Sequence, residues 1–132
     1  MKQTFSKSER LCSPKIIGRL FQRGSSEVHT FYLFPFRVLY IYDPEREALP
    51  TQVLFSVSKR QFKKAVDRNL IRRRCREAFR LHKSQMYTVD PACRPAYVAF
   101  LYLAKDSSTF SVIDTAMEKL LGRLVRSSES QP

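Results

Sequence analysis

The sequence predicts a two-layer α+β sandwich with the element order α-β-β-(β)-α-β-α and a mostly antiparallel sheet containing one βαβ crossover. Three observations carry this. Residues 28–42 and 52–58 concentrate β-branched and aromatic side chains as strands do. Residues 65–83 and 111–124 space apolar side chains at helical intervals. The run 97–104, which follows the longer helix, is almost continuously apolar, as expected of a strand covered on both faces. A strand–helix–strand unit within a mostly antiparallel sheet implies helices layered on that sheet. Composition fixes neither the strand order nor the hand of the crossover.

The elements follow in chain order. Ser13-Pro14 reads as a helix start, with Ser at the N-cap and Pro at the first helical position. Ile16, Ile17, Leu20 and Phe21 supply its apolar face, and Gly24 is the expected C-cap. Residues 28–42 form one or two strands, with Pro35 at a break, a bulge or an edge. Strict alternation would put Tyr32, Phe34, Phe36, Val38 and Tyr40 on one face. A polar loop over 43–50 leads to the next strand, where Val53, Phe55 and Val57 oppose Leu54, Ser56 and Ser58. A basic connection over 59–64 enters the long helix, and a loop with Pro91 and Pro95 leads to the apolar strand. Ser111 and Asp114 look like a capping box for the last helix, whose stripe is Val112, Ile113, Ala116, Leu120 and Leu124.

The chain has 132 residues, with 24 Lys and Arg against 12 Asp and Glu, for a formal net charge of +12. A pI near 10.1 on a single-domain chain implies a polyanionic partner. No apolar run reaches the roughly 20 residues of a membrane span, and the N-terminus lacks a secretory h-region. A cytoplasmic location is expected. Cys12, Cys75 and Cys93 are an odd number without CxxC spacing and read as reduced thiols.

The charge is concentrated on the long helix. At about 100° per residue, Asn69, Arg72, Arg73, Arg76 and Arg80 share one arc, and Ile71, Cys75, Ala78, Phe79 and His82 the opposite one. Arg68 lies on the boundary. Arginines four apart repel by a few tenths of a kcal/mol per pair, and only Asp67 and Glu77 are near enough to relieve them. The bland alternative is a solvated charged face, but so dense a row with so few acids favours a ligand that neutralises it. Guanidinium groups match phosphate oxygens in a planar fork. Asn69 adds a donor and an acceptor suited to a ribose hydroxyl or a base edge. The expected organisation is a basic N-terminal arm (1–12), a single RNA-binding domain (13–126) and a disordered tail (127–132).

Several segments together resemble the bacterial ribonuclease P protein family. They are Phe55-Ser56-Val57-Ser58-Lys59-Arg60, Ala65-Val66-Asp67-Arg68-Asn69, Ile71-Arg72-Arg73 and Arg76-Glu77-Ala78-Phe79. The first helix, ending Leu20-Phe21-Gln22-Arg23-Gly24, is also similar, and the match covers about residues 7–125. The resemblance implies the small subunit of a ribonucleoprotein that removes the 5′ leader of precursor tRNA. The RNA subunit would be the catalyst, using Mg²⁺, and the protein side chains would bind no cofactor. It also implies a left-handed βαβ crossover, against the usual preference. It assigns RNA contacts to Arg68, Asn69, Arg72, Arg73 and Arg76, to which the charge reading adds Arg80, Lys59, Arg60, Lys63 and Lys64. It assigns a leader cleft to Ile17, Phe21, Ser56 and Ser58, while Phe34 and Phe36 are candidate flat surfaces for bases. Leu70 stands where the family usually has the second Arg of its motif, and Ile17 where an aromatic is common.

The partners so implied are ribonuclease P RNA and precursor tRNA, with no membrane and a monomer outside the ribonucleoprotein. Protein-based catalysis is not expected, because the acids are dispersed and His29 and His82 are isolated in sequence. The rival reading is a ribosomal or RNA-assembly protein, which would share the basic patch but not distinguish precursor from mature tRNA. A DNA-binding helix–turn–helix fits less well, since strands flank the basic helix.

Overall fold

The computed structural model describes residues 7–22, 24–43, 50–87 and 94–125. The expectations for the 127–132 tail, for residues 44–49 and 88–93 of two loops, and for Cys93 lie outside these residues. Strands β1 (His29–Leu33), β2 (Phe36–Ile41), β3 (Gln52–Val57) and β4 (Tyr97–Tyr102) form one sheet in the spatial order β1-β2-β4-β3. β1 pairs antiparallel with β2, and β2 with β4, whereas β3 and β4 run parallel. Parallel neighbours need a long crossover. Here it contains α2 (Ala65–His82) and the single turn α3 (Ser84–Tyr87). α1 (Pro14–Leu20) precedes the sheet, and α4 (Phe110–Leu124) follows it. The α+β class and the mostly antiparallel mixed sheet are as the sequence predicts.

Alternation along the strands divides the side chains between two faces. Phe36, Val38, Phe55 and Phe100 point toward α2 and α4, where they meet Ile71, Phe79, Met117 and Leu120. The Phe55 and Phe100 rings stack at 5.1 Å, and Phe36 meets Phe100 edge-on at 6.0 Å. Burying each such side chain is worth about 1.5–3 kcal/mol. On the other face, Leu39, Ile41, Tyr97 and Ala99 pack with Leu11 and Leu20 beneath α1. β4 lies between two strands and between two packed faces, which is why its sequence is apolar throughout.

Some local expectations are corrected. Residues 28–42 are a hairpin, not one alternating strand: Leu33 pairs with Phe36 across the turn Phe34-Pro35, whose peptide bond is cis. Cross-strand partners share a face, so Tyr32 lies with Arg37, while Phe36 lies with Leu33 on the opposite side. α1 begins as expected, with Ser13 Oγ accepting from Ile16 N–H at 3.5 Å. It ends earlier, at Leu20, with Phe21 as C-cap, and Gly24 takes φ +74° in the turn beyond. α4 is capped by Thr109, whose Oγ1 accepts from Val112 N–H at 3.4 Å, rather than by Ser111. Asp114 is thereby inside the helix, where its Oδ1 lies 2.8 Å from His82 Nε2. Val112 falls off the buried stripe and is exposed.

Residues 7–12, which precede α1, are held in the fold. Lys7–Glu9 forms a 3₁₀ turn, Arg10 bridges to Val53 in parallel, and Leu11 N–H donates to Val53 C=O at 2.9 Å. Glu9 Oε1 and Lys83 Nζ form a buried ion pair at 2.7 Å. Tyr87 O–H donates to the other Glu9 oxygen at 3.4 Å and accepts from Thr51 N–H at 3.1 Å. Desolvation, and secondarily the Glu9 charge, push the Tyr87 phenol up to about 12.

Candidate nucleic-acid interface

α2 separates its two arcs as its spacing predicts. Ile71, Cys75, Ala78 and Phe79 are buried, whereas Asn69, Arg73 and Arg76 are exposed and Arg72 is half-buried. Burial pushes the Cys75 thiol up to about 12, a shift that the neighbouring Arg76 charge only partly offsets, so this thiol is a neutral core group.

The arginines divide by what they touch. Arg68 Nη1 donates to the carbonyls of Phe62 at 2.8 Å and Lys63 at 3.0 Å, fastening the basic connection to the first turn of α2. Arg74 Nη1 donates to Ser108 C=O at 2.6 Å and Ser107 Oγ at 3.1 Å, tying α2 to the loop before α4. Arg80 pairs with Glu77, whose hydrogen bond raises the Arg80 pKa and lowers that of Glu77. Arg72 Nη1 donates to Asn69 Oδ1 at 3.0 Å, which ties the half-buried Arg72 to the exposed Asn69 on the outer arc of the helix. Arg72, Arg73 and Arg76 are therefore the cations of this helix best suited to an external anion.

Lys59, Arg60, Lys63 and Lys64 are all exposed along the connection into α2. Ser58 shapes the turn: its C=O accepts from Phe62 N–H at 3.0 Å and its Oγ from Arg60 N–H at 3.1 Å. Lys64 at the N-cap makes no side-chain capping bond. Cations near a helix N-terminus oppose its dipole, so an anion here would relieve an unfavourable arrangement.

The outer arc of α2 borders a cleft of about 510 Å³. Its floor includes Leu54 and Ser56 of β3, one wall Ile17 of α1 and the C-cap Phe21, and the other Arg72 and Arg76. Arg10 and Leu11 close one side, held by their contacts to Val53. Phe21 is 44% exposed, offering a ring face to solvent. A second hollow of about 440 Å³ lies against α1, lined by Phe21, Thr30, Arg37 and Leu39. Exposed Tyr32 sits opposite Arg37 in the hairpin register.

The structure thus brings Ile17, Phe21 and Ser56 together with Arg72 and Arg76. Ser58 lies outside the cleft, in the turn after β3. Phe36 is not a cleft residue: it is 0% exposed, on the opposite face of the sheet, because the hairpin turn resets the alternation. Phe34 is 56% exposed but lies at the hairpin tip beside Val112, Thr115 and Lys119 of α4. Sequence reasoning missed Arg10, Leu54 and Arg37. Leu54 follows from the alternation of β3, and Arg37 is conspicuous as a cation within an aromatic strand. Nothing local marks Arg10, which reaches the cleft through a long-range bridge. Among the described residues, no group of three or more His, Cys, Asp or Glu side chains could hold a metal ion, and no helix is long and apolar enough to cross a membrane.

The family model for ribonuclease P matches residues 5–125. The chain belongs to the ribonuclease P protein family. It is 36% identical over 121 residues to the ribonuclease P protein component of Porphyromonas gingivalis, covering 90% of this chain and 85% of that one. It is 32% identical over 123 residues to the corresponding component of Chlorobium phaeobacteroides, covering 87% and 84%. The solved RNase P protein of Staphylococcus aureus superimposes with a TM-score of 0.65 at 26% identity, covering 87% of this chain and 94% of that one. Within this ribonuclease P protein, Leu70 is half-buried beside the exposed Asn69, on a helix that keeps Arg72, Arg73 and Arg76 as cations.

Proposed function

We propose that this chain, as the protein component of ribonuclease P, seats the single-stranded 5′ leader of precursor tRNA in the cleft between α1, β3 and α2. The carrying observation is that one cleft joins the exposed ring of Phe21 to the guanidinium groups of Arg72 and Arg76. A single strand needs that combination, since bases stack on flat apolar surfaces while phosphates need cations. Leu54 and Ile17 give the bases an apolar bed, and Ser56 offers a hydroxyl that can donate or accept. Arg73, Lys59, Arg60, Lys63 and Lys64 are exposed and do not line the cleft, and they suit phosphates of the catalytic RNA.

The protein's part in the reaction is binding and positioning. The RNA subunit carries the chemistry with Mg²⁺. The cations lower repulsion between leader phosphates and catalytic RNA, so less Mg²⁺ is needed to bring them together. Before assembly the protein is a cytoplasmic monomer. The test is precursor-tRNA cleavage by the RNA subunit of the same organism across a Mg²⁺ series, with and without protein. Protein should shift the curve to lower Mg²⁺; superimposable curves would end this reading.

A further inference from the structure

On the face of the sheet away from α1, a second groove runs between the edge strand β1 and α4. Its apolar end is a hollow of about 320 Å³ beside Leu33, Phe34, Val112 and Lys119. The exposed residues Ser111, Thr115, Lys119 and Arg123 recur every fourth position along α4, so they form a gently winding row on its surface. At the 1.5 Å helical rise this row is about 18 Å long. The Arg123 guanidinium lies 4.3 Å from the Phe31 ring centroid, which fixes a cation beside β1. Further along the same strand face, the His29 ring stacks on Tyr40 at 5.2 Å. Among the described residues, no other strand pairs with the outer edge of β1.

We propose that this β1–α4 groove docks an unpaired segment of the ribonuclease P RNA subunit. The inference rests on the reading of the chain as that RNA's partner, and it adds a contact independent of the leader cleft. The exposed ring of Phe34 beside a row of hydroxyls and cations forms the set that takes up base, ribose and phosphate of a single strand. Phe34 is the platform for a base, Ser111 and Thr115 reach ribose or base edges, and Lys119 and Arg123 meet phosphates. Charge decides against a second copy of the chain, since each copy carries a formal net charge of +12. Position decides against the leader, because the α1 cleft opens on the opposite face of the sheet.

The test is equilibrium binding of the full chain to the refolded RNA subunit across a salt series, comparing the parent with Phe34→Ala and Lys119→Ala. Both positions are exposed, so far-ultraviolet circular dichroism should be unchanged. Phe34→Ala should weaken binding about tenfold. Lys119→Ala should lower the magnitude of the salt slope by about 0.7. In the assembled holoenzyme, the preference for precursor over mature tRNA should persist in both variants. Unchanged RNA affinity and slope would overturn the proposal. So would retained RNA affinity with a lost precursor preference, which would assign the groove to the leader. Loss of self-association, with RNA affinity intact, would assign it to a second copy and also overturn the proposal. If the parent itself fails to bind the RNA subunit, the function proposed for the whole chain falls with it, an outcome distinct from an effect confined to these variants.

Discussion

Replacing both Arg72 and Arg76 by alanine tests the cleft at its cationic wall. The two residues sit one helical turn apart and border the same space as Phe21 and Ser56. Each phosphate contact contributes to the salt dependence of binding a slope of about 0.7 for single strands and about 0.9 for duplex. Losing two contacts should therefore reduce the slope by about 1.4–1.8. Over a fourfold rise in salt, from ~50 to ~200 mM, that removes about a 7- to 12-fold share of the weakening seen in the parent. The assay is holoenzyme affinity for precursor tRNA at several salt concentrations. Arg68→Ala is the contrasting variant, because its guanidinium holds the Phe62 and Lys63 carbonyls. It should lower stability by about 1–3 kcal/mol in urea unfolding and leave the salt slope nearly intact. An unchanged slope in the double variant, with a reduced slope in Arg68→Ala, would refute the division of arginines drawn from the geometry.

Three further predictions concern the frame around the cleft. Glu9→Ala leaves the buried Lys83 ammonium without its carboxylate and should cost about 3–5 kcal/mol in urea unfolding; a change below about 1 kcal/mol would contradict the role given to this pair. Alkali should destabilise the fold before it ionises the buried groups. The Cys75 and Tyr87 pKa values are both raised to about 12 in the folded chain, from 9.0 and 10.0. Their contribution is fully present below the lower unfolded values and is lost as pH rises from about 9 through 12, where the unfolded chain sheds protons first. In denaturation midpoints measured against pH, stability should fall over that window, and a thiol reagent at pH 8 should modify exposed Cys12 while sparing Cys75.

Much of this was legible in the sequence because the relevant forces are local. The two arcs of α2 follow from helical periodicity, and its buried residues are the ones its spacing selects. Ser13 caps α1 where Ser-Pro predicts a start. β4 declares its position by being apolar on both faces. The failures have equally physical causes. A two-residue turn at Phe34-Pro35 resets strand alternation, which moved Phe36 into the core and Phe34 to the α4 side. Thr109 outcompeted Ser111 as cap because the loop before α4 is fixed by Arg74 and by Tyr102, whose O–H donates to Asp106 C=O at 2.6 Å. Arg10 and the Glu9–Lys83 pair depend on contacts across more than forty positions (Arg10 with Val53, Glu9 with Lys83), and no window of sequence contains both partners. Likewise, the roles of Arg68 and Arg74 look identical to that of Arg76 until their carbonyl partners are seen.

The central claim is that the α1–β3–α2 cleft holds the leader. The most direct measurement is the ratio of holoenzyme affinities for precursor and mature tRNA, for the parent and for Phe21→Ala. The parent should bind the precursor more tightly, and loss of one stacking surface should reduce that preference by about fivefold or more while leaving mature tRNA binding unchanged. Equal affinities for the two tRNAs in the parent, or a Phe21→Ala ratio equal to the parent's, would contradict the account.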